Sequence, residues 1–312
     1  MRLLIFTEAG SNIGLGHLSR CSALYEEAVS RDIETHLLVN GDFSDKGIFP
    51  NIPINYINWL SDEFLRNFLK ADDYVIIDSY LAQYELLKSI SKLVKNVIYL
   101  DDFNRINYPS GIVISPHVMR DPKGSPDFYG SQFVILRKSL RKNVIYDVNS
   151  KIRNILVMIG GTDVSKISER ILNSLLEFTP SDINIHFIGE SKLLSLNSNK
   201  LKIYNLIDAN KYSKILANVD FAIIQASQSA YELIQMNIPF IAIKTASNQE
   251  NIIRFLARIG IETLDGDSLD LLDRITELVN KYNNPKLRNI NINKFYNYNF
   301  TGHREIIDLL LN

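Results

Sequence analysis

Residues 3–20 read Leu-Leu-Ile-Phe-Thr-Glu-Ala-Gly-Ser-Asn-Ile-Gly-Leu-Gly-His-Leu-Ser-Arg. An apolar, β-rich run, Leu3–Phe6, gives way to a Gly/Ser/Asn segment, as a buried strand does on entering a turn. From about Leu18 to Arg31 the residues Leu18, Cys21, Leu24, Tyr25 and Ala28 fall on one face at helical spacing. The order is strand, glycine turn, helix.

The same order recurs on moving outward. Thr35–Val39 closes on Asn40-Gly41, Tyr74–Ile77 ends in Asp78, Leu81–Val94 is helical, and Val97–Leu100 ends in Asp101-Asp102. Strands that end in polar residues and alternate with amphipathic helices predict a parallel sheet covered on both faces. The alternation weakens over residues 104–148, rich in Pro and Gly, where Phe133–Leu136 reads as a last short strand. It restarts with strand Ile155–Ile159, the turn Gly160-Gly161 and a helix through Leu175. Strands at Ile185–Ile188, Phe221–Ile224 and Phe240–Ile243 follow, with helices at Ala230–Met236 and Gln249–Ile259. The Asn-rich stretch Tyr282–Asn299 reads as a solvated loop, and Glu305–Leu311 as a final helix. At 312 residues the chain exceeds what one core usually supports. The expectation is an α/β chain of two doubly wound Rossmann-like domains, residues 1–148 and 149–312. Ligands of such sheets lie beyond the carboxyl ends of the strands, which for two facing domains predicts a central cleft.

Composition narrows the function classes. With 46% hydrophobic and 22% charged residues the chain can build a core and is not disordered. Thirty-four Lys and Arg against 35 Asp and Glu leave a net charge of -1, with no long-range field to draw in nucleic acid or anionic lipid. The single Cys21 excludes an internal disulfide and a CxxC metal site, and fits a reducing cytosol. The start MRLLIFTEAG has too short an apolar run for a secretory leader. No segment approaches the roughly 18 apolar residues of a membrane span. A soluble, cytoplasmic protein is expected, with no membrane span, nucleic-acid partner or obligate protein partner.

Gly14 and Gly16, before the first helix, let backbone N–H groups approach an anion at a helix N-terminus. His17, in the first turn, is kept uncharged by the helix dipole and so able to accept a proton; the alternative is an incidental histidine on a plain strand–helix turn. A dinucleotide fingerprint would need glycine where Ser19 stands. Asp78-Ser79-Tyr80 and Asp101-Asp102 lie at strand ends on the same rim, where carboxylates orient a histidine or bind sugar hydroxyls, or else cap helices and turns. Gly160, Gly161 and Thr162 are either a phosphate cradle or an ordinary βα turn. Ser227 and Ser229 suit a diphosphate and Glu232 a ribose diol, while a capping box of Ser229 with Glu232 is the structural alternative. Asn248 is an N-cap or a site residue. His17, His36, His117, His186 and His303 show no HxH or HExxH spacing, so no metal is expected, and His36 and His186 read as structural.

In order, the chain carries Gly-x-Gly-His-x-x-Arg at 14–20, Asp-x-Tyr at 78–80, Asp-Asp-Phe at 101–103, Leu-Arg at 136–137 and Gly-Gly-Thr-Asp at 160–163. Ser227, Ser229 and Glu232, Asn-Gln at 248–249 and Gly-x-Arg at 302–304 follow. Together these resemble the pseudaminic-acid-pathway UDP-sugar hydrolases, the UDP-2,4-diacetamido-2,4,6-trideoxy-β-L-altropyranose hydrolases related to the spore-coat polysaccharide protein SpsG. The resemblance implies a GT-B fold, as in MurG-type glycosyltransferases. It also implies cofactor-free, metal-independent hydrolysis of a UDP-sugar at the anomeric carbon with inversion, supplying nonulosonic acid or surface-glycan synthesis. It makes His17 the base or water-orienting residue and sets Gly14, Gly16, Arg20, Asp78, Tyr80 and Asn248 around the substrate. Gly160, Gly161, Thr162, Ser227, Ser229 and Glu232 would hold the UDP. Two departures border the expected sugar pocket: Ser79 stands where the family has histidine, and Ser115-Pro116-His117 where it often has asparagine. The alternatives are an inverting glycosyltransferase, for which Phe43, Ile48, Phe49 and Trp59 are either an apolar acceptor surface or core, and a binding protein without chemistry.

Overall fold

The computed structural model describes the whole chain except residues 11–12, 14–15, 44–46, 142–147, 160–166, 190–195, 197, 206 and 312. Two compact units emerge, Met1–Lys138 with Phe300–Asn312, and Ser139–Asn299. In the first, β1 (Arg2–Ala9), α1 (Gly16–Val29), β2 (Glu34–Gly41), β3 (Ile54–Tyr56), α2 (Asp62–Phe68), β4 (Tyr74–Asp78), α3 (Tyr84–Leu93), β5 (Asn96–Leu100) and β6 (Ile112–Ile114) follow in order. Their sheet is ordered β3-β2-β1-β4-β5-β6, with every pair parallel.

The second unit holds β7 (Asn154–Met158), α4 (Ile167–Phe178), β8 (Asn184–Ile188), β9 (Leu201–Tyr204), α5 (Ala209–Leu216), β10 (Phe221–Gln225), α6 (Gln228–Gln235), β11 (Phe240–Lys244), α7 (Glu250–Arg258), β12 (Thr263–Asp265), α8 (Leu271–Tyr282) and α9 (Pro285–Asn293). Its sheet runs β12-β11-β10-β7-β8-β9, again all parallel. The last helix, α10 (Gly302–Leu311), returns to the first unit. Counted within its own unit, each sheet has the order 3-2-1-4-5-6. Winding therefore reverses between the first and fourth strands, the place where such sheets open a crevice for ligands. The expected fold class, two doubly wound Rossmann-like domains, is the one adopted.

The unbroken apolar run of β1 follows from burial on both faces. Leu3 and Ile5 join a core with Leu18, Leu24, Ile306 and Leu310 from α1 and α10. Leu4 and Phe6 point the other way, into a core with Trp59, Leu65, Leu87 and Ile90. In the second unit, Ile155, Val157, Ile223 and Ile241 pack against Ile171, Leu175, Ile275 and Leu278 of α4 and α8.

Three expectations are revised. The compact units differ from the division at 148/149 at both ends: the second begins at Ser139, and α10 leaves it to bury Ile306, Ile307 and Leu310 against α1. Gly302 makes that docking close: its N–H donates to Val134 O at 3.0 Å, and a Cβ there would lie 2.4 Å from Phe133 O. Gly302→Ala therefore forces backbone apart and destabilises the first unit by about 1–3 kcal/mol. Denaturant unfolding followed through the chain's one tryptophan, the buried Trp59, measures it. Secondly, Tyr282–Asn299 is not a solvated loop. Asn284 caps α9 by accepting from Lys286 N at 3.0 Å, Pro285 sits in its first turn, and Phe295 stacks on Phe240. Thirdly, Phe133–Leu136 is buried but forms no strand; a 3-10 turn spans Ser131–Phe133 and extended chain follows.

Candidate active site

In the first unit the reversal lies between β1 and β4, whose register sets Thr7 beside Asp78. Beyond β1 the chain enters α1 with His17 in its first turn, and one turn on comes Arg20. Beyond β5 come Asp101 and Asp102. Parallel pairing thus delivers residues from positions 17 to 102 to a single rim.

His17 is buried, with Nδ1 2.7 Å from Asp78 Oδ1. Arg20 Nε and Nη2 both donate to Asp78, the latter to Oδ1 at 2.6 Å. Its Nη1 and Nη2 donate to Asp102 Oδ1 and Oδ2 at 2.6 and 3.0 Å. One guanidinium is clamped between two buried carboxylates. Asp102 also receives the Tyr80 phenol and lies 3.2 Å from His117 Nε2. The Tyr80 ring meets His17 edge to face, with centroids 4.2 Å apart.

Burial alone would raise the Asp78 carboxyl, but the Arg20 guanidinium and His17 outweigh it and hold it below the usual carboxylate range. Asp102 is held well below that range for the same reason, Arg20 and His117 overcoming desolvation. Burial and the Asp102 charge push the Tyr80 phenol far above its ordinary value, so it neither ionises nor serves as a base. Asp78, a fixed anion beside Nδ1, makes that nitrogen the N–H donor and leaves Nε2 as a lone pair. Among the described residues Nε2 has no hydrogen-bond partner. A histidine ordered by a buried carboxylate is the arrangement that acts as a general base.

Arg20 and Asp78, expected around the substrate, are bonded to each other and to His17. The Ser79 hydroxyl is engaged within the protein. It donates to Glu8 Oε2 at 2.5 Å and accepts from Leu81 N and Ala82 N, both at 3.0 Å. Glu8 in turn accepts from Tyr80 N at 2.6 Å. Tyr80 is thus held at its backbone by Glu8 and at its phenol by Asp102. Glu8 escaped the sequence reading; the signal was an acidic residue just after the apolar run Leu3–Phe6. Gly16 opens α1, and a Cβ there would meet no heavy atom of the described residues within 4 Å, so their packing does not demand the glycine. Gly14, Gly160, Gly161 and Thr162 lie outside the described residues.

In the second unit Ser227 is the N-cap of α6, but its hydroxyl pairs with Ser229 Oγ at 2.8 Å instead of capping the backbone. The capping box of Ser229 with Glu232 does not form, since Glu232 is buried in the helix and accepts from Tyr212 Oη at 2.8 Å. Asn248 is exposed on a short 3-10 turn after β11. Its neighbour Gln249 is buried and accepts from Thr245 N at 2.7 Å, while Gln225 Nε2 donates to Thr245 Oγ1 at 2.6 Å. Of these, Thr245 carries no signal in the sequence, and its pairing with Gln225 depends on β10 and β11 being adjacent. His186, read as structural, bonds Tyr204 and Asn154 inside its sheet. No helix among the described residues is long and apolar enough to cross a membrane.

No protein-family profile matches the chain. A curated relative, the uncharacterized protein MJ1062 of Methanocaldococcus jannaschii, is 26% identical over 273 residues, 78% of this chain; the chain spans only 55% of that relative's length. Solved structures are similar over the whole chain. MurG of Acinetobacter baumannii superimposes with a TM-score of 0.67 at 14% identity, covering 100% of this chain and 99% of that one. The spinosyn rhamnosyltransferase SpnG, complexed with spinosyn aglycone, gives 0.68 at 11%, covering both chains fully. UDP-GlcNAc 2-epimerase of M. jannaschii, in complex with UDP-GlcNAc and UDP, gives 0.62 at 13%, covering 100% of this chain and 99% of that one. The architecture is that of these GT-B proteins.

Proposed function

We propose that the chain is a nucleotide-sugar hydrolase. In this reading His17 Nε2 removes a proton from water as the oxygen attacks the anomeric carbon of a UDP-linked diacetamido-trideoxy sugar. The C–O bond to the diphosphate breaks, and free sugar and UDP leave. The observation that carries the proposal is the 2.7 Å contact of His17 Nδ1 with Asp78, which leaves Nε2 as proton acceptor. Asp78 then faces the imidazolium that forms and stabilises it. Ser227, Ser229 and the N-terminus of α6 take the diphosphate, where N–H groups and the helix dipole favour negative charge. Glu232 takes the ribose diol, and Asn248 the sugar. The fold supports the reading, since MurG, SpnG and the epimerase complexed with UDP-GlcNAc share it.

The second reading is an inverting glycosyltransferase, in which an acceptor hydroxyl replaces water at the same base. One observation favours it. Phe43 is 56% exposed just beyond β2, meets the Tyr56 ring at a tilt with centroids 4.4 Å apart, and holds φ at 62°. A bulky residue in the left-handed region costs about 1–2 kcal/mol, and such strain persists where function requires it. The rest of the proposed acceptor surface is absent: Trp59 and Ile48 are buried and Phe49 is half-buried.

The test incubates purified protein with UDP-diacetamido-trideoxy sugars in ¹⁸O-water, with EDTA and without acceptor. Release of UDP with ¹⁸O on the anomeric carbon supports hydrolysis. Binding without release until an alcohol is added supports transfer, and absence of both rejects the two readings.

A further inference from the structure

The hydrogens of Arg20 Nη2 do not suffice for its neighbours. That nitrogen carries two hydrogens and faces three acceptor positions: Asp78 Oδ1 at 2.6 Å, Asp102 Oδ2 at 3.0 Å and His17 Nδ1 at 3.1 Å. Hydrogen bonds to ionised oxygens are the stronger, so both hydrogens go to the carboxylates. His17 Nδ1 is left to keep its own proton and donate it to Asp78.

We infer that Asp102 is a positioning residue that fixes the His17 tautomer by occupying the Arg20 hydrogen which would otherwise reach Nδ1. Without that acceptor, the freed Nη2 hydrogen lies 3.1 Å from the imidazole. Accepting it turns Nδ1 into a lone pair and moves the ring proton to Nε2, which then cannot take a proton from water. Asp78 draws the Nδ1 proton in the same direction, and Asp102 secures that choice by keeping Nη2, which also donates to Asp78 Oδ1, from competing for Nδ1. Asp102 is itself held from two further sides, by the Tyr80 phenol and by His117 Nε2 at 3.2 Å. His117 belongs to irregular chain after β6, yet it is buried at this rim. Its place is explained by its support of Asp102. The inference deepens the reading of His17 as the base and rests on that reading for its kinetic consequence, but the tautomer itself is observable without any substrate.

The experiment labels histidine with ¹⁵N and records long-range ¹H–¹⁵N correlations, the His17 signals being assigned by their loss in His17→Gln. The wild-type protein shows the Nδ1–H form. Asp102→Ala shifts His17 toward Nε2–H and lowers kcat for UDP release about 100-fold, at the low end of what a general base is worth, with KM little changed. Asp102→Asn, whose amide oxygen still accepts from Nη2, recovers part of both. If Asp102→Ala does not fold, His117→Ala is read in the same way, a partial shift to Nε2–H being expected. A folded Asp102→Ala or His117→Ala protein that keeps the wild-type tautomer overturns the inference. Failure of every UDP-sugar to turn over, with the tautomer shift present, would reject the hydrolase and leave the role of Asp102 standing.

Discussion

His17→Gln lowers UDP release by about 1,000-fold in kcat, within the range a positioned general base supplies. Glutamine is similar in length to histidine and keeps a polar end near Asp78, but its amide has no lone-pair nitrogen to accept a proton. The loss therefore falls on the chemical step, while KM and UDP affinity stay within a few-fold. Stability changes little, by about 1 kcal/mol, since Asp78 keeps its two hydrogen bonds from Arg20. The measurement is steady-state UDP release beside calorimetric titration with UDP. A His17→Gln protein that binds UDP and turns over within ten-fold of wild type removes His17 from the mechanism. One that loses UDP binding as well shows a site that has collapsed, and the kinetic comparison then has to be made with His17→Asn.

The fold was legible because its signals are local. An apolar run such as Leu3–Phe6, closed by Gly/Ser/Asn and followed by a helix-spaced face, needs no distant partner to be recognised. The errors arose where burial depended on distant chain. Residues 282–299 carry so many asparagines that composition hides α9, which forms because Asn284 caps it and Phe295 finds Phe240. The helix α10 is legible from its own spacing but its place in the first unit is not, since its partner α1 lies about 280 positions earlier in the chain. The site divides in the same way. His17, Asp78 and Tyr80 could be singled out from strand ends and a glycine turn. That Arg20 spans Asp78 and Asp102, across sequence separations of 58 and 82, required the order β1-β4-β5. An arginine four residues after a glycine loop reads equally well as an anion ligand, and only the register of β1 with β4 turns it inward. Ser79 behaves in a related way: its hydroxyl is engaged by Glu8, a residue that strand periodicity alone passes over.

Arg20→Met gives the largest expected loss of stability, about 3–5 kcal/mol at pH 7, as breaking a buried ion network on one side does. That is a large part of the roughly 5–15 kcal/mol available to a domain. The cost is not the lost attraction but the two carboxylates left behind, Asp78 fully buried and Asp102 nearly so. Its pH dependence identifies the cause. In the wild type both carboxyls are held below their unfolded values. Their stabilising contribution is complete above the unfolded carboxyl pKa of about 4 and fades as pH falls through the depressed folded values. In the variant, burial acts without the Arg20 charge, its largest counterweight, and with only His17 and His117 opposing it the same carboxyls are expected to rise above their unfolded values. The folded variant then binds protons more readily than the unfolded chain, so acid relieves its penalty. The gap between the two proteins should therefore shrink by at least half between pH 7 and pH 4.5. Urea unfolding at both pH values, followed through Trp59, reports the first unit alone, since that residue is the chain's one tryptophan and packs beneath β1. A gap of equal size at both pH values would mean that methionine fails for reasons of shape, and that the carboxylates at this rim are not the charged pair that Arg20 holds in place.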